Sequence, residues 1–273
     1  MGFFLDMFKR DREIKKREKA RQKAAREQEK AEARLPGLIA KTDDPGLLCR
    51  YYRETKKDET RFTIYEKLTR KEPVVSFGGM DWFVLKQEEN RQLLLSRCLP
   101  GKYLPFARGL EGRKNYEGEG WYITYPDLQW SSSELRRYLN GEFTDRFSAE
   151  EKSRILPVRI GPDPEKSVCL KNEEEARAAG SGETDHVFLL SRTEIRECAE
   201  NRLGIRIAFT GKHTVQGWWT RTVSQETSIE HGHWKPTACC CSSSGDPEKN
   251  PDFQSLPFDS SEAVRPVLWI SCP

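Results

Sequence analysis

Two stretches of this 273-residue chain hold side chains that could do chemistry together. Trp218, Trp219 and Arg221 offer two indoles and a guanidinium side by side. Indoles stack on sugars or peptides and a guanidinium clamps a carboxylate, so the trio is a candidate ligand floor. Successive strand residues face opposite ways, which predicts one indole in the core and the other at the surface with Arg221 lying over it. Downstream, His231, His233, Cys239 and Cys241 bring imidazole and thiolate together, the ligand types zinc prefers. Three consecutive cysteines cannot easily aim at one tetrahedral centre, and no second Cys-x-x-Cys supports them. The expectation is a flexible loop, with no metal and no cofactor.

Arg265 stands between apolar residues near the end of the chain, where burying its charge without a partner would cost several kcal/mol. A nearby carboxylate is expected, with Asp127, Glu134 and Asp185 as candidates, and Pro266 implies an edge position or a strand end. No Gly-x-Ser-x-Gly elbow, no phosphate-cradling Gly-rich loop ending in Gly-Lys-Ser/Thr and no His-Glu-x-x-His helix occurs, so no catalytic residue is assigned.

The elements that would position these residues follow from composition and spacing. The formal charge of +3 hides an asymmetry, because residues 1–34 hold 12 Lys/Arg against 7 Asp/Glu. Residues 1–35 therefore read as a basic helical arm, ended by Leu35-Pro36-Gly37. Within it Phe3, Phe4, Met7 and Phe8 are read as one apolar face followed by cations, the composition of an anchor on anionic lipid or a contact with a partner. The plain alternative is a solvated helix. Residues 36–72 read as a helical linker with helices through Leu47–Tyr52 and Arg61–Leu68. The globular domain is expected over 73–273, and its near-neutral charge argues against specific nucleic-acid binding.

In that domain Val74–Phe77, a Gly78-Gly79 turn, Trp82–Lys86 and Leu93–Ser96 read as strands, and residues 101–120 as an exposed loop. Ser131/Glu134, Ser148/Glu151 and Ser191/Glu194 have the capping-box spacing that opens helices. Residues 225–259 read as a polar loop before the closing strand Val267–Ile270. No apolar run exceeds four residues, against roughly 20 for a bilayer span. The basic residues near Met1 follow the apolar ones, unlike a signal peptide, and the eight scattered cysteines suit reduced thiols, so a cytoplasmic location is expected.

The ordered series Trp82-Phe83-Val84-Leu85, Trp130-Ser131-Ser132-Ser133-Glu134-Leu135-Arg136-Arg137-Tyr138-Leu139-Asn140, Val187-Phe188-Leu189-Leu190-Ser191, Trp218-Trp219-Thr220-Arg221 and Val264-Arg265-Pro266-Val267-Leu268-Trp269-Ile270 resembles a bacterial domain of unknown function, of a type found in Firmicutes. Its architecture is similar to the C-type-lectin-like and formylglycine-generating-enzyme superfamily. The resemblance implies an α+β fold of short twisted strands, two or three helices and long loops, closed by pairing of first and last strands. It makes Trp82, Trp130, Leu135, Leu139, Phe188, Leu189, Arg265 and Trp269 structural. It implies no activity, since related scaffolds host sugar binding, protein binding and an oxidase. The chain lacks the Glu-Pro-Asn and Trp-Asn-Asp elements of calcium-dependent sugar binding and the paired cysteines of the oxidase branch. The expected function is a non-enzymatic binding module for a protein or glycan-like ligand, with the basic helix as tether. One alternative is a metal- or thiol-dependent enzyme using the 231–241 segment. The other is an adaptor whose arm binds an anionic membrane surface or acidic partner.

Overall fold

A computed structural model describes residues 2–110, 112–117, 120–125, 128–160, 184–199, 202–230, 233–242 and 253–272. It is mixed α+β. Helix α1 runs Gly2–Ala40 and contains Pro36, so the expected stop at Leu35-Pro36-Gly37 is wrong. Pro36 costs the helix about 3 kcal/mol. Leu35 and Ile39, one turn apart, are both buried, and each such aliphatic side chain contributes roughly 1.5–3 kcal/mol. Burial carries the helix through its breaker. Helices α2 (Pro45–Glu54) and α3 (Asp58–Thr69) follow, with Pro45 at the start of α2 and Asp44 accepting a hydrogen bond from the Leu47 N–H as its cap. The region expected as a linker is part of the packed interior: Leu48, Tyr52, Ile64 and Tyr65 are inaccessible or nearly so.

Strands β1 (Val74–Phe77) and β2 (Met80–Gln87) meet at the Gly78-Gly79 turn, where both glycines have positive φ. A side chain at Gly78 would collide with the Phe147 ring. With β3 (Arg91–Ser96), β11 (Val187–Phe188) and β17 (Val267–Ser271) they form a sheet ordered β1-β2-β3-β17-β11, while β8 (Ile155–Leu156) pairs with the far half of β17. The final strand is thus central, not an edge. It pairs antiparallel with β3, with Val267 opposite Leu95 and Ser271 opposite Arg91, and Pro266 lies just before its first residue. A second sheet runs β15 (Phe253–Pro257), β14 (His233–Cys241), β13 (Trp218–Glu230), β16 (Ser261–Ala263), β5 (Tyr103–Pro105), and short pairs join β4 (Cys98–Leu99) to β12 (Phe209–Thr210) and β9 (Val158–Arg159) to β10 (Thr184–Asp185).

Alternation along these strands feeds two hydrophobic cores. Phe83, Leu95, Trp218, Cys241, Val267 and Trp269 enter the first core, with Leu35, Ile39, Tyr52 and Tyr65. Their strand neighbours Trp82, Leu94, Trp219, Cys240, Leu268 and Ile270 enter the second, with Leu135 and Leu139. A strand covered on both faces needs apolar residues at every position, which explains why the runs are continuous and not alternating.

Two expected loops are largely strand. Within 101–120, β5 lies in the second sheet and β6 (Arg113–Glu117) pairs with β7 (Gly120–Thr124); Leu104 and Phe106 supply the apolar burial that an exposed loop lacks. Within 225–259, the run Cys239-Cys240-Cys241 lies in β14 between β13 and β15, all three thiols buried. Two capping boxes form as the spacing predicts, at Ser148/Glu151 for α5 (Ala149–Arg154) and at Ser191/Glu194 for α6 (Arg192–Ala199). The first does not. Ser133, not Ser131, caps α4 (Glu134–Leu139), because a turn from Trp130 to Ser133 precedes the helix.

Candidate functional site

The residues singled out as a ligand floor do not meet a surface. Both Trp218 and Trp219 are buried, one in each core, which corrects the expectation that one reaches solvent. The sheet has no exposed face at this point. Arg221 is buried as well, its guanidinium forming a bidentate pair with the Glu194 carboxylate and donating to the Leu189 carbonyl at 2.9 Å. Arg265 is fully buried, and no carboxylate among the described residues pairs with it. Its Nε donates to the Ser96 carbonyl at 3.1 Å, one Nη donates to the Ile205 carbonyl at 2.6 Å, and the guanidinium sits 5.1 Å from the Trp218 ring centroid. Of the three candidate partners, Glu134 lies 3.3 Å from Arg137, Asp185 pairs with Arg136 at 2.6 Å, and Asp127 lies outside the described residues. Carbonyl oxygens and an indole face replace a counter-ion, and burial lowers the Arg265 pKa from its ordinary value.

Of the four metal candidates, only the two cysteines are described with their side chains. His231 lies outside the described residues, and His233 is described only through its backbone, opposite Glu230 in the β13–β14 ladder. Cys239 and Cys241 are separated by the alternation of a buried strand from Cys240, whose thiol is pushed up well beyond its ordinary pKa by burial. No group of three His, Cys, Asp or Glu suited to a metal ion occurs among the described residues. The side chains of Phe3, Phe4, Met7 and Phe8 lie outside the description.

An open cleft forms elsewhere, where β5 meets α4. Its volume is about 570 Å³, within the roughly 300–1,000 Å³ of small-ligand pockets. Lys102, Tyr103 and Arg108 line one wall, and Glu134, Arg137, Tyr138 and Glu142 line the other. Arg137 and Gly141 also border a second hollow of about 440 Å³, rimmed by Ser131, Ser132 and Ser133.

Sequence and packing fix this geometry from below. Strand alternation turns Leu104 into the second core and leaves Tyr103 outward, 42% exposed. The Trp219 indole N–H of β13 donates to the Leu104 carbonyl at 2.7 Å and holds β5, while the Glu134 N–H donates to the Phe106 carbonyl at 2.9 Å and ties the end of β5 to α4. Leu135 and Leu139 bury one face of α4, which presents Arg137 and Tyr138 to the cleft. Behind the serines, buried Asp185 accepts from the Trp130 indole N–H at 2.8 Å and from Arg136 Nε at 2.6 Å. Asn140 Nδ2 donates to the Val187 carbonyl while its Oδ1 accepts from the His186 and Val187 N–H groups.

The cleft's charges come in pairs. Lys102 Nζ lies 2.9 Å from the Glu142 carboxylate and 5.4 Å from the Tyr138 ring centroid, and hydrogen bonding to Glu142 raises the lysine pKa. Burial raises the Tyr138 pKa above its ordinary value. The site therefore offers stacking rings, fixed donors and fixed acceptors. None of its lining side chains is a ligand contact by sequence, where Glu134 reads as a cap or an Arg265 partner and residues 101–120 as an exposed loop. The available signal was the step from Lys102-Tyr103 to Leu104-Pro105-Phe106, polar at one end and apolar at the other.

Comparison with protein families matches residues 89–272 to a domain of unknown function (DUF6273), and the chain belongs to that family. Comparison with curated proteins and with solved structures returns no match.

Proposed function

We propose that this DUF6273 chain is a non-enzymatic binding module whose body, lectin-like in architecture, takes an acidic glycan-like ligand in the cleft between β5 and α4. One observation carries the reading: Tyr103 stands exposed beside Tyr138 and Arg108 in a hollow lined by the ion-paired side chains Lys102, Glu142, Arg137 and Glu134. Aromatic faces stack on the apolar faces of sugar rings, while paired charges present both donors and acceptors to hydroxyls. Arg108 adds a guanidinium suited to a carboxylate. The serine-rimmed hollow next to it would hold a neighbouring ring.

The test is calorimetric titration of the whole chain with uronic-acid oligosaccharides and with neutral oligosaccharides of equal length. Saturable binding of the acidic series is expected, weakened at least about tenfold by Tyr103→Ala and by Arg108→Ala, the size of losing one anchoring contact. Both positions are exposed, so folding should be unaffected. No binding, or binding by both variants as tight as by the unaltered chain, refutes the assignment.

A further inference from the structure

The arm presents a second surface, and its charges are sorted by side. At about 100° per residue, Lys15, Lys19, Lys23, Arg26, Lys30 and Arg34 fall within an arc of about 100° on α1. All five acidic residues between positions 13 and 34 fall outside that arc. Side chains along this stretch are exposed except Glu32. The helix's phase against the body is set by Leu35 and Ile39, which are buried, and by Glu32, 3.9 Å from Lys57. By the same helical repeat these three sit roughly opposite the cationic row, so the row faces away from the body. Like charges four residues apart, such as Lys15, Lys19 and Lys23, weaken an isolated helix, and the exposed Lys23–Glu27 pair at 4.0 Å relieves little of that.

We propose that this row docks α1 on the anionic surface of a lipid bilayer. From Lys15 to Arg34 the row spans about 29 Å in a straight line, which matches a flat array of anions. Toward the N-terminus the helical repeat places positions Leu5 and Phe8 inside the same arc and Phe4 about 20° beyond its edge, whereas Phe3 and Met7 fall well outside it. A bilayer offers both phases such a side needs, headgroup phosphates for the cations and an acyl boundary for the apolar end. A nucleic-acid duplex offers only the first. The inference is independent of the β5–α4 cleft.

The experiment measures sedimentation of the full chain with vesicles of phosphatidylcholine alone and of phosphatidylcholine with a quarter phosphatidylserine, in about 0.1 M salt. Binding is expected only to the second and should be lost as salt screens the charges. Lys19→Gln with Lys23→Gln should weaken it about 25-fold, from roughly fivefold per cation. Arg17→Gln with Arg21→Gln removes the same charge from the other side and should weaken it less than about threefold. Circular dichroism confirms that each variant keeps its helix. Absence of binding to the anionic vesicles, equal loss from both double variants, or tighter binding to a DNA duplex than to the vesicles would each overturn the proposal.

Discussion

The two hydrophobic cores handle buried polar groups in opposite ways. In the second, each buried indole is matched: Trp82 donates to the Phe77 carbonyl at 2.8 Å and Trp219 to the Leu104 carbonyl at 2.7 Å. Beside it Asp185 gathers Trp130 and Arg136. Around the first core, Trp218 Nε1, Tyr52 Oη, Ser96 Oγ and one Nη of Arg265 have no hydrogen-bond partner among the described residues. Matched donors fix direction as well as distance, whereas apolar contact fixes neither. The second core is therefore the rigid floor under the β5–α4 cleft, and the first is held by the bulk of α1–α3 packed against the sheet.

Removing a partner from the matched side should have the largest effect. Asp185→Asn removes the buried carboxylate that accepts from both Trp130 and Arg136, and urea unfolding should show a loss of about 3 kcal/mol. A loss below about 1 kcal/mol would show that the network is not what holds α4.

The first core should respond instead to alkali. Burial pushes the Tyr65 pKa up to about 12 from an ordinary value of 10.0, while its hydroxyl donates to the Arg97 carbonyl. The unfolded tyrosine ionises first, so this contribution is intact below pH 10 and is lost progressively as pH rises to about 12. The slope approaches about 1.4 kcal/mol per pH unit, reaching roughly 2 kcal/mol. Unfolding curves at stepped pH should show it, and Tyr65→Phe should flatten that part of the profile.

The finest discrimination comes from the adjacent indoles. Phenylalanine removes a matched N–H at Trp219 and an unmatched one at Trp218, at similar cost in volume. Trp219→Phe should therefore be the more destabilising by about 1–2 kcal/mol, the penalty of stranding the Leu104 carbonyl. Equal losses would erase the contrast between the cores.

Local signals in the sequence were reliable where the physics is local. The Gly78-Gly79 turn, the Ser148/Glu151 and Ser191/Glu194 boxes and the strands β1–β3 depend on residues within a few positions of one another, and they form as read. Pro36 was misread because its local cost is offset by Leu35 and Ile39 meeting residues far along the chain. The cysteine run was misread as loop because its polar neighbours masked a strand whose faces are both covered. The cleft was missed for a related reason. Tyr103 and Tyr138 lie far apart in sequence, and their walls meet where the Glu134 N–H of α4 bonds the Phe106 carbonyl just past β5, which Trp219 of β13 anchors at Leu104.

By itself the sequence determined an α+β chain with a basic helix ahead of a body closed by its final strand, because helix propensity, capping and apolar runs are properties of neighbours. Tertiary structure alone decided that Trp218 and Trp219 part into separate cores, that carbonyls and an indole gather around Arg265, and that an open cleft forms over α4. Those outcomes depend on what covers each face of a strand, and the cover comes from segments that the chain returns only after long excursions.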